Sequence, residues 1–197
     1  MPGASASQYL SSRPAEVLAA LGLVSGLVSA WAWVQGFGLE PLRPLARVFL
    51  LDPGALPIGF AYGLAMGLGM AACARAWWAA PLVVVTTMYA WSAAIHTAVR
   101  LQRNTDDDLY LAAASLAAGA VGAALTHAGC ALVAPGLRRP PWRIALTAAL
   151  GAAFGMLFYL GQRKLIAEWV LFLVWQPAVA FAIGLGLPRG GDGSPSA

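Results

Sequence analysis

The chain has 197 residues, of which 60% are hydrophobic and only 10% are charged, and its mean hydropathy is +0.71. A soluble domain usually carries about 25% charged residues to cover its surface, so this composition excludes an ordinary soluble protein and indicates a chain embedded in lipid. The formal net charge of +4 does not indicate a nucleic-acid partner, because the basic residues lie in short loops between apolar runs, where membrane lipid headgroups are their expected partners.

The two ends of the chain differ in composition from its middle. The first fifteen residues are mostly polar, and residues 188–197 are rich in Gly, Pro and Ser. We therefore expect disordered tails at 1–15 and 188–197 around a transmembrane domain of residues 16–187. We also expect no cleavable signal peptide, because the apolar stretch after residue 15 is too long for a signal-peptide core.

Six apolar runs are long enough to span a bilayer, which takes about 20 residues in a helix. In chain order the predicted spans are Val17–Phe37, Ala55–Ala74, Trp77–Ala98, Leu109–Ala134, Trp142–Leu160 and Trp169–Leu187. Such long unbroken runs differ from the alternating segments of about ten residues that build an outer-membrane barrel. The sequence therefore predicts an all-α, polytopic transmembrane helix bundle of about six spans with short loops.

Two connections between these spans leave alternatives open. Spans two and three are nearly continuous around Arg75, but one helix through both would be about twice as long as the membrane is thick, so we prefer a hairpin there. The segment Pro41–Pro53 is too short to span. Its apolar residues are interspersed with Arg43 and Arg47, which suits a short helix lying in the headgroup plane or a loop packed on the bundle.

The orientation follows from the charges in the loops. We call the side on which the first span begins side A and the opposite side side B. Each side carries six basic residues, but side A has only two acidic residues, whereas side B has six, so side A is more positive. Because positive loops stay in the cytoplasm, we expect cytoplasmic N- and C-termini. Arginine makes up nearly all the basic residues of this Ala- and Gly-rich chain, which favours a bacterial inner membrane.

Ionisable residues are rare within the predicted spans. No Asp or Glu lies between Asp52 and Asp106 or between Asp108 and Glu168, which argues against a proton-coupled carrier or a carboxylate-based intramembrane enzyme. The two histidines, His96 and His127, lie at different depths and cannot hold one haem between them. An enzyme is therefore the less favoured class, and no cofactor is predicted.

A weak candidate for a metal or redox site remains near side A. His127 lies one helical turn from Cys130, and Cys73 ends span two on the same side. This trio lacks an obvious fourth ligand, so we predict no metal site. The alternative is that His127 hydrogen-bonds a neighbouring helix and both cysteines are small buried fillers.

The run Asn104–Asp108 resembles a group of ligands for a hard cation. Consecutive aspartates on a helix point in different directions, however, so they would not converge on one ion. We prefer an interpretation in which Thr105 or Asp106 caps the fourth span.

The best candidate substrate site combines the middle of span six with the most polar part of span three. Pro177 removes a backbone hydrogen bond in span six, and Gln176 brings an amide to the same depth. Interrupted helices with a polar residue often line transporter sites. We therefore predict that Gln176, Pro177, Thr86, Thr87 and Tyr89 line a central cavity. The alternative is that Pro177 and the hydroxyls serve ordinary packing.

The strongest structural motif is a ridge of small residues at every fourth position in span two: Gly59, Gly63, Gly67 and Ala71. Such ridges let two helix backbones approach closely. Similar ridges occur at Gly22/Gly26/Ala30, Ala114/Ala118/Gly122 and Thr147/Gly151/Gly155. They predict tight packing within the bundle or a face that meets another membrane protein.

Three functional hypotheses follow. The first is a small-solute permease or the membrane subunit of a transport complex. The second is a structural or regulatory subunit that binds a partner through its Gly/Ala helix faces. The third, which is less favoured, is an intramembrane redox or metal enzyme that uses His127 and the cysteines.

Overall fold

The chain folds into antiparallel helices in the computed structural model, which describes residues 12–36, 44, 46, 51–54, 56–74, 77–102 and 107–188. The helices are α1 (Pro14–Val34), α2 (Leu56–Ala74), α3 (Ala79–Gln102), α4 (Asp108–Val133), α5 (Trp142–Gln162) and α6 (Val170–Gly184), and the short 3-10 helix η1 (Pro135–Arg138) follows α4. The described residues contain no strand, so the predicted all-α fold class is confirmed. The short helix predicted for Pro41–Pro53 falls largely outside these ranges.

Five helices, α1 to α5, are long and apolar enough to cross a membrane. The sixth, α6, has only 15 residues, which is about 22 Å at 1.5 Å per residue and less than the hydrocarbon core. The span predicted for Trp169–Leu187 is therefore helical only in part. Hydrogen-bonded turns extend it at both ends, from Ala167 to Phe172 before the helix and from Phe181 to Leu187 after it. The protein is a multi-pass helical membrane protein.

The helix ends lie within two residues of the predicted spans except at both ends of α1, at the end of α3 and at the end of α6. The first helix begins at Pro14, so the last two residues of the predicted tail at 1–15 are helical. The cap of α4 is Asp107, whose carboxylate accepts a 2.8 Å hydrogen bond from the Leu109 N–H. The prediction of Thr105 or Asp106 as the cap is therefore wrong, although the capping role for this acidic run is correct. Asp108 forms an ion pair with Arg163, which joins the start of α4 to the end of α5.

The helices form a closed ring. Each one packs against its neighbours in the chain, and α6 returns to pack against α1. Large apolar side chains fill the side-A half of the ring, among them Leu18, Met66, Met70, Val83, Val179 and Ile183. The side-B half is less completely filled by side chains, and the cavity described below lies there.

The small-residue ridges lie at the helix interfaces within this ring. A Cβ atom on Gly63 would lie 3.0 Å from the Cα and carbonyl oxygen of Val84, and one on Gly67 would lie 2.7 Å from the Ala80 oxygen. The ridge of Gly59, Gly63 and Gly67 therefore packs against α3. Ala71, its fourth predicted member, is half-buried.

Two more ridges close the ring in the same way. A Cβ on Gly22 would lie 2.8 Å from the Cα of Pro177, which places α1 directly against α6. Gly119 of α4 meets Gly151 and Gly155 of α5 with backbone against backbone. Close approach of this kind maximises dispersion contacts, which stabilise helix association in lipid. These glycines pack within the protein, as the first interpretation of the ridges predicts.

Candidate functional site

A cavity of about 320 Å³ lies inside the side-B half of the ring. All six helices and the loop before α2 contribute to its wall, so it is central to the bundle. Its volume is at the lower end of the range of about 300–1,000 Å³ that is usual for ligand pockets. The lining residues are Trp33, Asp52, Gly54, Ile58, Trp91, Ala94, Ile95, Ala98, Val99, Gln102, Ser115, Ala118, Gly119, Gly122, Gly155, Phe158, Glu168, Leu171, Phe172 and Trp175.

Small residues on α3, α4 and α5 leave this space open. Ala94 and Ala98 face it from α3, Ala118 and Gly122 from α4, and Gly155 from α5. Gly122 is close to the aromatic wall, since a Cβ there would lie 3.4 Å from the Trp175 ring. A larger residue at Ala94, Ala98 or Ala118 would occupy part of the cavity, whereas a Cβ on Gly155 would lie 2.6 Å from the Ser115 carbonyl oxygen of α4.

Aromatic rings form one wall. The ring centroids of Trp91 and Trp175 are 5.3 Å apart, those of Trp91 and Phe172 are 6.0 Å apart, and those of Trp33 and Phe172 are 5.7 Å apart. The ring planes meet at 64°, 50° and 59° respectively. Tilted pairs at these distances are favourable for aromatic rings. The wall therefore presents both ring faces and ring edges in a fixed arrangement.

Two hydrogen-bond donors on residues that line the cavity have no protein partner. The indole Nε1–H of Trp91 is unpaired although Trp91 is only 8% exposed, and Gln102 Nε2 is also unpaired. By contrast, Trp175 Nε1 donates a 3.1 Å hydrogen bond to the Gly151 carbonyl oxygen. A buried donor without a partner costs about 1–3 kcal/mol. Neither nitrogen has surface that a water molecule can reach, so these donors do not face the open space of the cavity.

The mouth of the cavity on side B is acidic. Asp52 lies in the loop before α2, where its backbone N–H donates a 2.6 Å hydrogen bond to Ser92 Oγ and its carboxylate accepts one of 2.9 Å from the Gly54 N–H. Glu168 precedes α6 and accepts a 3.0 Å hydrogen bond from Lys164 Nζ. Both carboxylates belong to residues that line the cavity.

The residues predicted as a substrate site lie elsewhere and do not share one cavity. Thr86 faces α4, where its hydroxyl would collide with a Cβ on Gly129, and it donates to the Leu82 and Val83 carbonyl oxygens. Thr87 faces α2 beside Gly63, and its buried hydroxyl has no partner. Tyr89 is exposed on the outside of the bundle.

Gln176 and Pro177 both lie at the α1–α6 interface. The amide of Gln176 is fully buried and takes part in hydrogen bonds with Ser25 and Ser29 of α1. Tyr62 donates a 3.2 Å hydrogen bond to the Gln176 backbone oxygen. These contacts favour a packing role for Gln176 and Pro177. In the sequence they directly follow Trp175, which lines the cavity.

The trio His127, Cys130 and Cys73 does not form a metal-ligating group in the part of the chain that the structure describes. His127 Nδ1 is 2.9 Å from Thr147 Oγ1, and its Nε2 is 3.2 Å from the Leu137 carbonyl oxygen. Both ring nitrogens are thus engaged, which joins α4 to α5 and η1. This matches the alternative in which His127 hydrogen-bonds a neighbouring helix. Cys130 is buried in the apolar core, and Cys73 packs against that core.

The residues that sequence reasoning missed are Trp91, Gln102 and Glu168. A signal for Trp91 was available, because it lies in the middle of α3 rather than at the interface where membrane tryptophans concentrate. Gln102 and Glu168 stand next to loops, where a polar residue is unremarkable in sequence. Gln102 and Glu168 come together at one cavity because the six helices close into a ring.

Comparison of the chain with protein-family models, with curated proteins and with solved structures finds no match.

Proposed function

We propose that the protein is a small-solute permease, or the membrane subunit of a transport complex, and that it holds its solute in the central cavity. The observation that carries the proposal is the cavity of about 320 Å³ lined by all six helices, with Asp52, Gln102 and Glu168 among its lining residues. An apolar pocket with a few polar groups is the usual form of a small-molecule site.

The asymmetry of the bundle supports transport over a purely structural role. The side-A half is filled by apolar side chains such as Met66, Met70 and Val179, whereas the cavity occupies the side-B half. A permease in one of its two access states has this arrangement. The helix α6 lines the cavity with Trp175 and contains Pro177 two residues later, so its backbone lacks one hydrogen bond at that depth.

The partner-binding alternative has less support. The glycine ridges on which it rests pack inside the ring, as Gly22, Gly63 and Gly119 illustrate. If the protein is one subunit of a transport complex, its partner contacts another surface.

We further propose that the protein resides in a bacterial inner membrane with side A in the cytoplasm. Among the described residues, side A carries Arg13, Arg138, Arg139 and Arg143 against Glu16, whereas on side B the acidic residues outnumber the basic ones. The proposal rests on this difference in net charge, because over the whole chain the two sides carry equal numbers of basic residues and the positive-inside rule alone does not separate them. In that orientation the cavity opens away from the cytoplasm, as expected of an uptake system before substrate release.

The test is solute binding that depends on the cavity. Protein in lipid nanodiscs is screened for thermal stabilisation by a panel of small soluble metabolites, and any solute that binds is assayed for uptake into proteoliposomes. The variant Ala118→Phe places a ring in the cavity and should abolish both signals. Ala113→Phe, on the exposed face of the same helix, is the matched control and should leave them intact.

The outcome separates the hypotheses. Because Ala118→Phe adds apolar contacts in an existing space, its melting temperature should not fall far below that of the wild type, which distinguishes a filled cavity from a misfolded chain. Solute binding that survives in folded Ala118→Phe would place the solute elsewhere and overturn the proposal. No stabilisation by any member of a broad panel would favour a structural subunit.

A further inference from the structure

The charge of the cavity lining restricts the solute, if the proposed function is correct. Among the described lining residues none is Lys, Arg or His, whereas Asp52 and Glu168 are carboxylates. An anionic solute would approach this acidic mouth against repulsion and find no cation inside to compensate for its lost hydration. The lining therefore favours a neutral or cationic solute.

Lys164 lies next to the mouth, where it lines a shallow recess together with Glu168. Its Nζ is 3.0 Å from Glu168 Oε1, and its side chain is 80% exposed. A pair this exposed contributes little to stability, so a competing cation can replace Lys164 at low cost. Glu168 thus has the position and the charge to accept a ligand ammonium group from the cavity side.

Aromatic rings stand beside this carboxylate. Trp33 lines the cavity together with Glu168, and the same two residues also line a shallow recess outside the mouth. Phe172 packs against both Trp33 and Trp91. Aromatic faces attract ammonium groups through the ring quadrupole, and sites for quaternary ammonium ligands combine several such rings.

We infer that the cavity binds an organic ammonium compound with an apolar body. The ammonium group lies at the mouth near Glu168 and Trp33. The apolar body contacts Ala94, Ala98 and Phe172 inside.

A matched pair of probes tests the charge requirement. Acetylcholine and 3,3-dimethylbutyl acetate have nearly the same shape and the same ester, but only the first is charged. Isothermal titration of the protein in phosphatidylglycerol nanodiscs, with empty nanodiscs as the blank, should show acetylcholine binding at least about tenfold more tightly. Equal or tighter binding of the neutral ester would overturn the inference.

Four variants assign the roles. Glu168→Gln and Trp33→Leu should each weaken acetylcholine severalfold and leave the neutral ester unchanged, whereas Lys164→Gln should strengthen acetylcholine by removing its competitor. Trp91→Phe keeps an aromatic ring in the wall, so it should leave the preference for acetylcholine over the neutral ester in place. If Glu168→Gln leaves the preference between the probes unchanged, the charge assignment is wrong.

The lipid composition identifies the source of the ammonium group. If phosphatidylcholine in the nanodisc competes with acetylcholine, the headgroup of a lipid is a ligand, and if it does not, the ligand is a soluble cation. Both results support an ammonium site. Suppose that the wild type shows no preference between the probes and that Ala118→Phe loses the binding of both. The proposed function then stands, and only this inference is overturned. If neither probe binds, the inference is also overturned, and the metabolite panel then decides the proposed function.

Discussion

The hydroxyl of Ser25 on α1 lies 2.6 Å from the side-chain oxygen of Gln176 on α6, and donates to it from a fully buried position. Gln176 Nε2 donates a second hydrogen bond, of 3.0 Å, to Ser29 Oγ one turn further along α1. The amide thus has partners at both its oxygen and its nitrogen. These bonds hold together the first and last helices, which close the ring.

We expect Gln176→Leu to destabilise the protein by about 1 kcal/mol, because hydrogen bonds between membrane helices typically contribute about 0.6–2 kcal/mol. Ser25→Ala should destabilise the protein by less. The double variant should lose less stability than the sum of the two single losses, because both substitutions remove the same hydrogen bond. The measurement is reversible unfolding in mixed detergent micelles.

Gln102→Leu is the matched control for this prediction. The Nε2 atom of Gln102 has no partner, so its removal should be neutral or stabilising. Equal losses for Gln176→Leu and Gln102→Leu would mean that the hydrogen bonds to α1 contribute nothing measurable.

The fold was largely predictable because the dominant signal, long apolar runs, acts locally along the chain. The helix starts at Leu56 and Trp142 agree with the predicted spans to within one residue. The short α6 was not predicted, because the apolar run from Trp169 continues past Gly184, where the helix gives way to turns. Composition alone does not distinguish a helix from hydrogen-bonded turns in an apolar segment.

The site was not predictable to the same degree, because it depends on which helix faces which. Gln176 was predicted to line a central cavity, but its side chain is buried against α1, where its hydrogen-bond partners lie, and the sequence contains no direct signal for the α1–α6 contact. Thr86 and Thr87 are adjacent in sequence and therefore about 100° apart around the helix, which places them in different interfaces. A polar cluster within a span thus did not predict a shared cavity.

The two cysteines should be unpaired thiols that differ in reactivity. Cys130 is fully buried and Cys73 is half-buried near the side-A end of α2. N-ethylmaleimide should modify Cys73 in the native protein and Cys130 only after denaturation, with no reductant needed. The measurement is mass spectrometry of the intact protein before and after denaturation.

A pair that resists labelling in denaturant without reductant would indicate a disulfide and contradict this prediction. Cys130→Ser provides the control for assignment, because it should abolish the mass increase that appears only after denaturation.

The orientation prediction places residues 107 and 139 on opposite sides of the membrane, because α4 lies between them. Reporter fusions truncated after Arg139 should give a cytoplasmic signal, and fusions after Asp107 should give an external one. The opposite pair of signals would reverse the assignment of side A. Two signals on the same side would contradict a membrane-spanning α4.

The last prediction concerns three glycines that differ in how closely other atoms surround an added Cβ. A Cβ on Gly119 would overlap the Gly151 carbonyl oxygen and lie 2.9 Å from the Gly155 Cα, whereas one on Gly63 would lie 3.0 Å from the Val84 backbone. At Gly136, in η1, no atom lies within 4 Å of the added Cβ. Three glycines in one chain thus offer three degrees of crowding for the same added methyl group.

We expect the loss of stability on substitution by Ala to follow this order. Gly119→Ala should cost about 1–3 kcal/mol, because backbone atoms on α5 cannot move aside without separating the helices. At Gly63 the strain is partly offset by the gain of about 1 kcal/mol in helix propensity, so the net change should be small. Gly136→Ala should change stability by less than about 0.5 kcal/mol.

A larger side chain at Gly63 should reveal the interface directly. Gly63→Leu should separate α2 from α3 and cost more than Gly63→Ala, whereas Leu68→Ile on the exposed face of α2 should be nearly neutral. The measurement is the melting temperature of the isolated, detergent-solubilised protein, in which no partner is present. A stability loss there places the ridge inside the single chain. An unchanged melting temperature for both Gly119→Ala and Gly63→Leu would mean that these glycines do not mediate backbone contact between helices.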